Sequence, residues 1–162
     1  MSNFDFNHLR SILDYNPDTG VFIWKINPCK NLKAGIKAGG VSRGYAYVTI
    51  SRKRYPAHRL AWAYMYSEMP SILDHINGNP LDNRISNLRI ATPAENSQNR
   101  IRANNNSSHG KLGLSFDKKK QLWRARIGLD GKRIYLGKFK SQDDAYQAYL
   151  NAKRAMHPFG TI

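Results

Sequence analysis

Asp74-His75-Ile76-Asn77-Gly78-Asn79, followed by Ser86-Asn87-Leu88-Arg89-Ile90-Ala91-Thr92-Pro93-Ala94-Glu95-Asn96, is the stretch on which the reading of this chain turns. An acid and a histidine stand together at the end of an apolar run, Ile72-Leu73. Asn77-Gly78 is a turn signal, and Leu88 to Ala91 reads as a second strand. A helix then starts at Pro93: Thr92 is its N-cap, Pro93 takes the first helical position, and Glu95 completes a Thr-x-x-Glu capping box. Asn96 falls in the first turn of that helix. Adjacent residues of a regular strand point to opposite faces. Asp74 and His75 can therefore serve one site only if the strand ends or twists at this pair.

These residues suit one kind of chemistry. Hydrolysis of a phosphodiester requires that water lose a proton, that charge on the phosphate be stabilised, and that the leaving oxygen be neutralised. His75 is a candidate base, since an imidazole with a pKa near ~6.5 is mostly neutral at pH 7. Asp74 and Asn96 offer oxygen ligands, the type a hard cation such as Mg²⁺ prefers. Taken alone, Asp-His before Asn-Gly would more often be a polar hairpin turn, and Asn87 alone could be a simple Asx-turn residue. Their combination with the capping box and Asn96 favours catalysis.

Composition narrows the substrate. The chain has 162 residues, enough for one domain or two small ones, and a net charge of +15 from 26 basic and 11 acidic residues. That excess implies a polyanionic partner, with nucleic acid ahead of a membrane surface. No apolar run approaches the ~20 residues of a spanning helix, and no basic amphipathic helix stands out. The N-terminal segment Met-Ser-Asn-Phe-Asp-Phe-Asn-His lacks the apolar core of a signal peptide, so an intracellular location is expected, in a host cytoplasm and on its DNA. Cys29 is the only cysteine. It excludes an intrachain disulfide and a Cys-based zinc site, and is expected to be buried or half-buried.

Outward from the central stretch, residues 1 to about 57 open with a helical pattern on Phe6, Leu9, Ile12 and Leu13, which ends at the turn formers Tyr15 to Gly20. Val21 to Ile26 reads as a strand and residues 27–44 as a loop. Tyr45 to Ile50 and Arg54 to Ala57 read as a hairpin around Ser51-Arg52-Lys53. His58 to Tyr66 is helical, with Leu60, Ala61, Tyr64 and Met65 on one apolar face. His58 is expected to pack or cap; His8, His109 and His157 lack a supporting constellation and are expected to be structural. Residues 103–110, Ala-Asn-Asn-Asn-Ser-Ser-His-Gly, form a polar linker. Residues 111–162 hold 12 basic and 4 acidic residues, +8, against +7 for everything before them. This block is the candidate electrostatic anchor.

The central block resembles the HNH branch of the His-Me-finger, or ββα-metal, nucleases, specifically the homing endonucleases of phages and introns. The resemblance covers His58-Arg59-Leu60-Ala61, Asp74 to Asn79, Asp82-Asn83, Ser86 to Arg89, and Glu95, Asn96 and Asn99. It implies that His75 is the general base, that Asp74 and Asn96 hold one divalent ion, and that Asn87 braces the loop that orients His75. Asn99 could support Asn96 from one helical step beyond. Cleavage would leave 5′-phosphate and 3′-hydroxyl ends. An asparagine at position 96 favours Mg²⁺, with Mn²⁺ as the alternative, because its carbonyl oxygen is a hard ligand. Arg89 and Arg100 are candidate phosphate contacts.

In the C-terminal block, Asp130-Gly131 marks a two-residue hairpin turn. Pairing outward from it sets Leu129 against Lys132, Ile127 against Ile134, Arg126 against Tyr135, Ala125 against Leu136 and Arg124 against Gly137. One face then carries Leu129, Ile127, Ile134, Ala125, Leu136 and Trp123. The other carries Arg124, Arg126, Arg133 and Tyr135, with none of the block's four acids. A helix from Ser141 to Ala155 covers the apolar face through Ala145, Ala148, Tyr149, Ala152 and Met156, and Leu112 to Phe116 adds a third strand. An open face of arginines suits the major groove, where arginine can bind guanine bidentately. This block resembles the APETALA2-type DNA-binding domain of plant ethylene-response factors through Trp123 to Ile127, Gly131-Lys132-Arg133, Tyr135 to Phe139 and Ala145 to Tyr149. The resemblance implies that Arg124, Arg126, Arg133 and Tyr135 face bases or backbone and that Lys138 meets a phosphate.

The sequence thus predicts an α+β protein: a small mixed N-terminal region with a ββα-metal HNH core (residues 1–102, core about 57–102), the linker, and a three-stranded antiparallel sheet packed on one helix (111–162). The expected function is a site-selective, divalent-metal-dependent DNA endonuclease of phage or other mobile DNA. It would nick or cleave double-stranded DNA, a monomer making a nick and a double-strand break needing a second event or a dimer, with no membrane partner and no small-molecule substrate. A non-catalytic DNA-binding regulator and a low-specificity nuclease for packaging or repair are the rival readings.

Overall fold

The computed structural model describes residues 4–100 and 110–161. The chain forms two compact units, Met1–Ile90 and Ala91–Ile162. Among the described residues, helices and small antiparallel sheets alternate in an α+β arrangement with four α-helices. No helix among them is long and apolar enough to cross a membrane.

The first unit opens with α1, Phe6–Ile12, capped by the Asp5 carboxylate, which accepts from the His8 backbone N–H. It passes without a break into β1, Leu13–Asn16, which pairs with β2, Val21–Trp24. Sequence periodicity assigned Leu13 to the helix and Tyr15-Asn16 to a turn. The strand appears instead because alternation starts at once: Leu13 and Tyr15 are buried while Asp14 and Asn16 are exposed. Tyr15 lies opposite Phe22, with ring centroids 4.7 Å apart. The turn closes through Asn16, whose Oδ1 accepts from the N–H groups of Asp18 and Thr19.

The segment read as a loop contains one more strand, β3, Gly40–Ser42. It joins β4, Tyr45–Ile50, and β5, Lys53–Pro56, in a sheet of order β3-β4-β5. Ser51 and Arg52 both have positive φ (48° and 64°), so the turn is two residues long and Lys53 belongs to the strand. Cys29, expected buried or half-buried, is exposed. The helix α2, Ala57–Tyr66, buries Ala57, Leu60, Ala61 and Ala63. Met65 was expected on that face but is exposed, because Ala63 lets the helix turn a narrower, smaller stripe inward. Leu9, Leu13, Val48 and Leu60 are the largest fully buried side chains, and all belong to this unit. Its last strands are β6, Leu73–His75, and β7, Leu88–Ile90, which pair Asp74 with Arg89 and His75 with Leu88.

The second unit begins with the short helix α3, Pro93–Gln98, and its capping box is present as expected: Thr92 Oγ1 accepts from Glu95 N–H, and Glu95 Oε2 accepts from Thr92 N–H. Strands β8 (Leu114–Asp117), β9 (Leu122–Leu129) and β10 (Lys132–Phe139) make a sheet of order β10-β9-β8. Helix α4, Gln142–Met156, is capped by Ser141. Asp130 and Gly131 both have positive φ, as a two-residue hairpin requires. The predicted register holds from Leu129↔Lys132 to Arg126↔Tyr135 and then slips. Ala125 faces Gly137 rather than Leu136, Arg124 faces Lys138, and Trp123 faces Phe139. A bulge between Tyr135 and Gly137 places two residues of β10 opposite one of β9, and Gly137 tolerates its φ of 136°.

The face division survives the slip. Ala125 and Ile127 are buried beneath Ala145 and Tyr149 of α4. Lys153, counted above as part of the cationic anchor, is instead 3% exposed. Its Nζ donates to the carbonyls of Arg100 and Thr161 at 2.8 and 2.9 Å, and burial lowers its pKa.

Candidate active site

Asp74 and His75 are the last two residues of β6, and both are buried, at 8% and 7% exposure. The strand ends at His75. Residues 76–87, read as an Asn-Gly hairpin turn, form a longer loop in which asparagine side chains replace ladder hydrogen bonds. Gly78 N–H donates to His75 O at 2.9 Å. Asn77 Oδ1 accepts from Asn79 N–H, and Asn79 Oδ1 from Leu81 N–H. Asp82 is gripped by Asn77 Nδ2 and by Arg84, whose guanidinium holds its carboxyl down at about 2.

Asn87, in the 3₁₀ turn Ile85–Asn87, is buried at the centre of this loop. Its Oδ1 accepts from Asn77 N–H at 3.0 Å, and its Nδ2 donates to Asn77 Oδ1 at 3.0 Å and to Asp82 O at 2.8 Å. It spans the loop, but it is not the residue that meets the histidine. Asn83 is: its Oδ1 lies 3.2 Å from His75 Nε2. Asn83 Nδ2 donates to Leu81 O, which turns Oδ1 toward the imidazole. With the Asn83 amide oxygen as acceptor, the proton sits on Nε2 and the lone pair on Nδ1. Asn83 stands among the residues of the family resemblance, yet nothing in local spacing marks it as the partner of His75.

His58, at the start of α2, packs on the same ring. The two imidazole centroids are 4.9 Å apart at 66°, an edge-on contact. Burial, with help from His75 and Arg59, pulls the His58 pKa down to about 4. Burial also lowers that of His75, against the opposing pull of Asn83, Asp74 and Asp82. Both rings are therefore neutral at pH 7. The sign for stability follows. Below the ordinary histidine value of 6.5 the unfolded chain takes up a proton that folded His58 refuses down to about 4. Stability is thus complete above pH 6.5 and declines across that window by up to about 3 kcal/mol. Urea unfolding at pH 7.5 and at pH 4.5 is expected to reveal this decline, and His58→Gln to remove most of it.

Asp74 has a partner across the β6–β7 ladder. Arg89 Nε and Nη2 donate to its Oδ2 at 3.1 and 2.8 Å. The register sets these opposite charges face to face, and Arg89, a candidate DNA contact, thus also holds Asp74. Among the described residues no group of three or more His, Cys, Asp or Glu converges on a metal position. Asp74, in the first unit, presents a buried carboxylate, and Asn96, in the second, an exposed amide in the first turn of α3; each is an oxygen donor of the type a hard cation prefers. Asn99, considered as support for Asn96, is engaged elsewhere. It is buried, and its Oδ1 accepts from Thr161 N–H and Oγ1 at 3.0 and 2.6 Å. Arg100 is exposed. Of the remaining histidines, His157 is buried with Nε2 2.6 Å from Gly128 O, His8 is exposed, and His109 lies outside the described residues.

On the open face of the C-terminal sheet, Arg126, Arg133, Tyr135 and Lys138 are exposed. The bulge brings Lys138 opposite Arg124. The expectation that no acid shares this face is corrected: Asp117 pairs with Arg124. Ser115, two residues before Asp117, lies opposite Arg124, so Asp117 projects to the same side.

Comparison with known proteins agrees with the central block. The HNH endonuclease family model matches residues 55–98. Protein 3.8 of Escherichia phage T7 is 38% identical over 88 residues, which is 53% of this chain and 69% of that protein. The "SPbeta prophage-derived putative HNH homing endonuclease YosQ" of Bacillus subtilis (strain 168) is 38% identical over 55 residues, 33% of this chain and 32% of its own length. No solved structure matches. The chain belongs to the same family as the phage T7 protein, and its residues 55–98 are an HNH endonuclease domain.

Proposed function

We propose that the protein is a divalent-metal-dependent homing-type endonuclease that nicks double-stranded DNA at preferred sites. The observation that carries this reading is the contact of buried His75 with Asn83, 3.2 Å from Nε2 to Oδ1. Asn83 holds the proton on Nε2, so a neutral Nδ1 is ready to take a proton from water. HNH nucleases use a divalent metal, and a cation held by Asp74 and Asn96 would neutralise the scissile phosphate and the departing 3′ oxygen. Arg89 fixes the Asp74 carboxylate in one orientation. Asn87 preserves the loop that delivers Asn83 to the imidazole. The proton acquired by His75 returns to solvent after the strand is cut. One base and one metal position make one cut, so a monomer nicks.

The open sheet face supports a role in placing the enzyme on DNA. Arg126, Arg133, Tyr135 and Lys138 are its reading and phosphate contacts, and Arg100 is a further phosphate contact. Arg124 reaches DNA only by exchanging Asp117 for it. Arg126→Ala is expected to cost about 1–3 kcal/mol of preference at the base it reads, with little change in turnover on generic DNA. Sequencing of cut sites in random DNA checks this, and an equal loss on all sequences would reduce Arg126 to a phosphate contact. The reading as a whole is tested by incubating supercoiled plasmid with the protein and Mg²⁺ or Mn²⁺. Nicked circles that vanish with EDTA are expected. Tight DNA binding without any cleavage in either metal would instead make the chain a DNA-binding regulator.

A further inference from the structure

We propose that the β1–β2 hairpin of the N-terminal region is a positioning element for His75, acting through Asn83. Its consequence for catalysis rests on the endonuclease reading; its structural content does not. Three contacts carry it, all between residues distant in sequence. The Tyr15 hydroxyl donates to Asn83 O at 2.7 Å, and both residues are buried, at 5% and 3% exposure. Ile85 N–H donates to Pro17 O at 3.1 Å. Gly20, with φ of 72°, presses its backbone onto the Asn83–Arg84 peptide: a Cβ there would stand 2.5 Å from Asn83 C and 2.6 Å from Arg84 N.

These contacts supply what the loop itself lacks. Asn77, Asn79 and Asn87 tie residues 76–82 together and anchor the loop's far end. The Asn83 side chain is occupied with Leu81 O and with His75. Its backbone is held from the hairpin, by Tyr15 and by the close approach of Gly20. Burial raises the Tyr15 pKa, so the hydroxyl remains protonated and keeps donating. If Asn83 drifts, Oδ1 no longer accepts from Nε2, and the Nδ1–H tautomer, which has no lone pair at the reacting nitrogen, becomes populated. Tyr15 and Gly20 are positioning residues: neither is argued to touch the phosphate.

The test uses the full chain. Tyr15→Phe removes one hydroxyl and retains the ring packed on Phe22. Gly20→Ala forces the turn away from Asn83 without altering the aromatic core. Tyr64→Phe is the control, since its hydroxyl belongs to the same aromatic cluster but meets Asp14 at 3.4 Å. The ¹⁵N shifts of the His75 imidazole report the tautomer directly. Wild type and Tyr64→Phe are expected to give the Nε2–H pattern, and Tyr15→Phe and Gly20→Ala a mixture. Nicking is expected to slow about tenfold in the two hairpin variants with KM for DNA unchanged, the effect typical of outer-sphere partners. If Tyr15→Phe does not fold, Gly20→Ala carries the same readout. A wild-type tautomer in the folded hairpin variants overturns the proposal. A shifted tautomer in a protein that never nicks DNA supports it and overturns the endonuclease reading instead.

Discussion

His75→Ala is expected to abolish metal-dependent nicking while leaving DNA binding intact. The loss follows from the role of one nitrogen. General-base assistance contributes about 10²–10⁴ in rate, and with Nε2 donating to Asn83 in the proposed arrangement the imidazole acts through Nδ1. His58 does not substitute for it. It lies against His75, but its own environment leaves Nδ1 buried without a hydrogen-bond partner. Truncation at 75 empties a small buried volume, and thermal unfolding is expected to shift only modestly, which separates lost chemistry from lost fold. Plasmid nicking, with a gel-shift binding assay in parallel, checks the result. Unchanged nicking by His75→Ala would remove this residue from the mechanism, and with it the argument built on Asp74.

The second large effect is expected at Asn87, which is not placed against the reacting atoms. Asn87→Ala removes three hydrogen bonds inside the loop, to Asn77 N–H, Asn77 Oδ1 and Asp82 O. Leaving buried partners unsatisfied costs about 1–3 kcal/mol each when they cannot find water. Part of this loop is exposed, so a net destabilisation of about 2–3 kcal/mol is expected in urea unfolding. Activity of the folded variant falls as well, by about 10–100-fold, because Asn83 and the imidazole it orients ride on the same loop. Asn87→Asp tests the distinction. Aspartate keeps the acceptor for Asn77 N–H but loses both donations, so an intermediate loss is expected. A variant as active as wild type would show that the loop needs no central brace.

How far the sequence could be read depended on whether the deciding interaction was local. The Thr92-Pro93-Glu95 start of α3 was legible because a capping box is closed within four residues. So was the turn at Asp130-Gly131, since few residue pairs accept positive φ twice in succession. The face alternation of β9 and β10 was legible up to the bulge at Gly137 and illegible beyond it, because a glycine announces freedom but not the direction in which a register slips. The strand β1 was missed because it follows α1 with no breaker between them and its partner is needed to reveal it. Cross-strand neighbours supplied partners that spacing does not show: Asp74 for Arg89 and Asp117 for Arg124. Lys153 looks like surface charge until its Nζ is seen to meet two carbonyls.

Residue types and short-range spacing by themselves offered a histidine suited to deprotonate water, hard oxygen donors, and a basic sheet with its arginines on one side, and the HNH domain was legible through family resemblance. Only the folded chain decided which ring nitrogen of His75 faces Asn83. That choice rests on an amide oxygen of Asn83, itself held by a tyrosine hydroxyl from the far end of the unit. Hydrogen bonds act through space over about 3 Å and are indifferent to separation along the chain, so a contact chain built from three residues of three segments leaves no mark in any one of them.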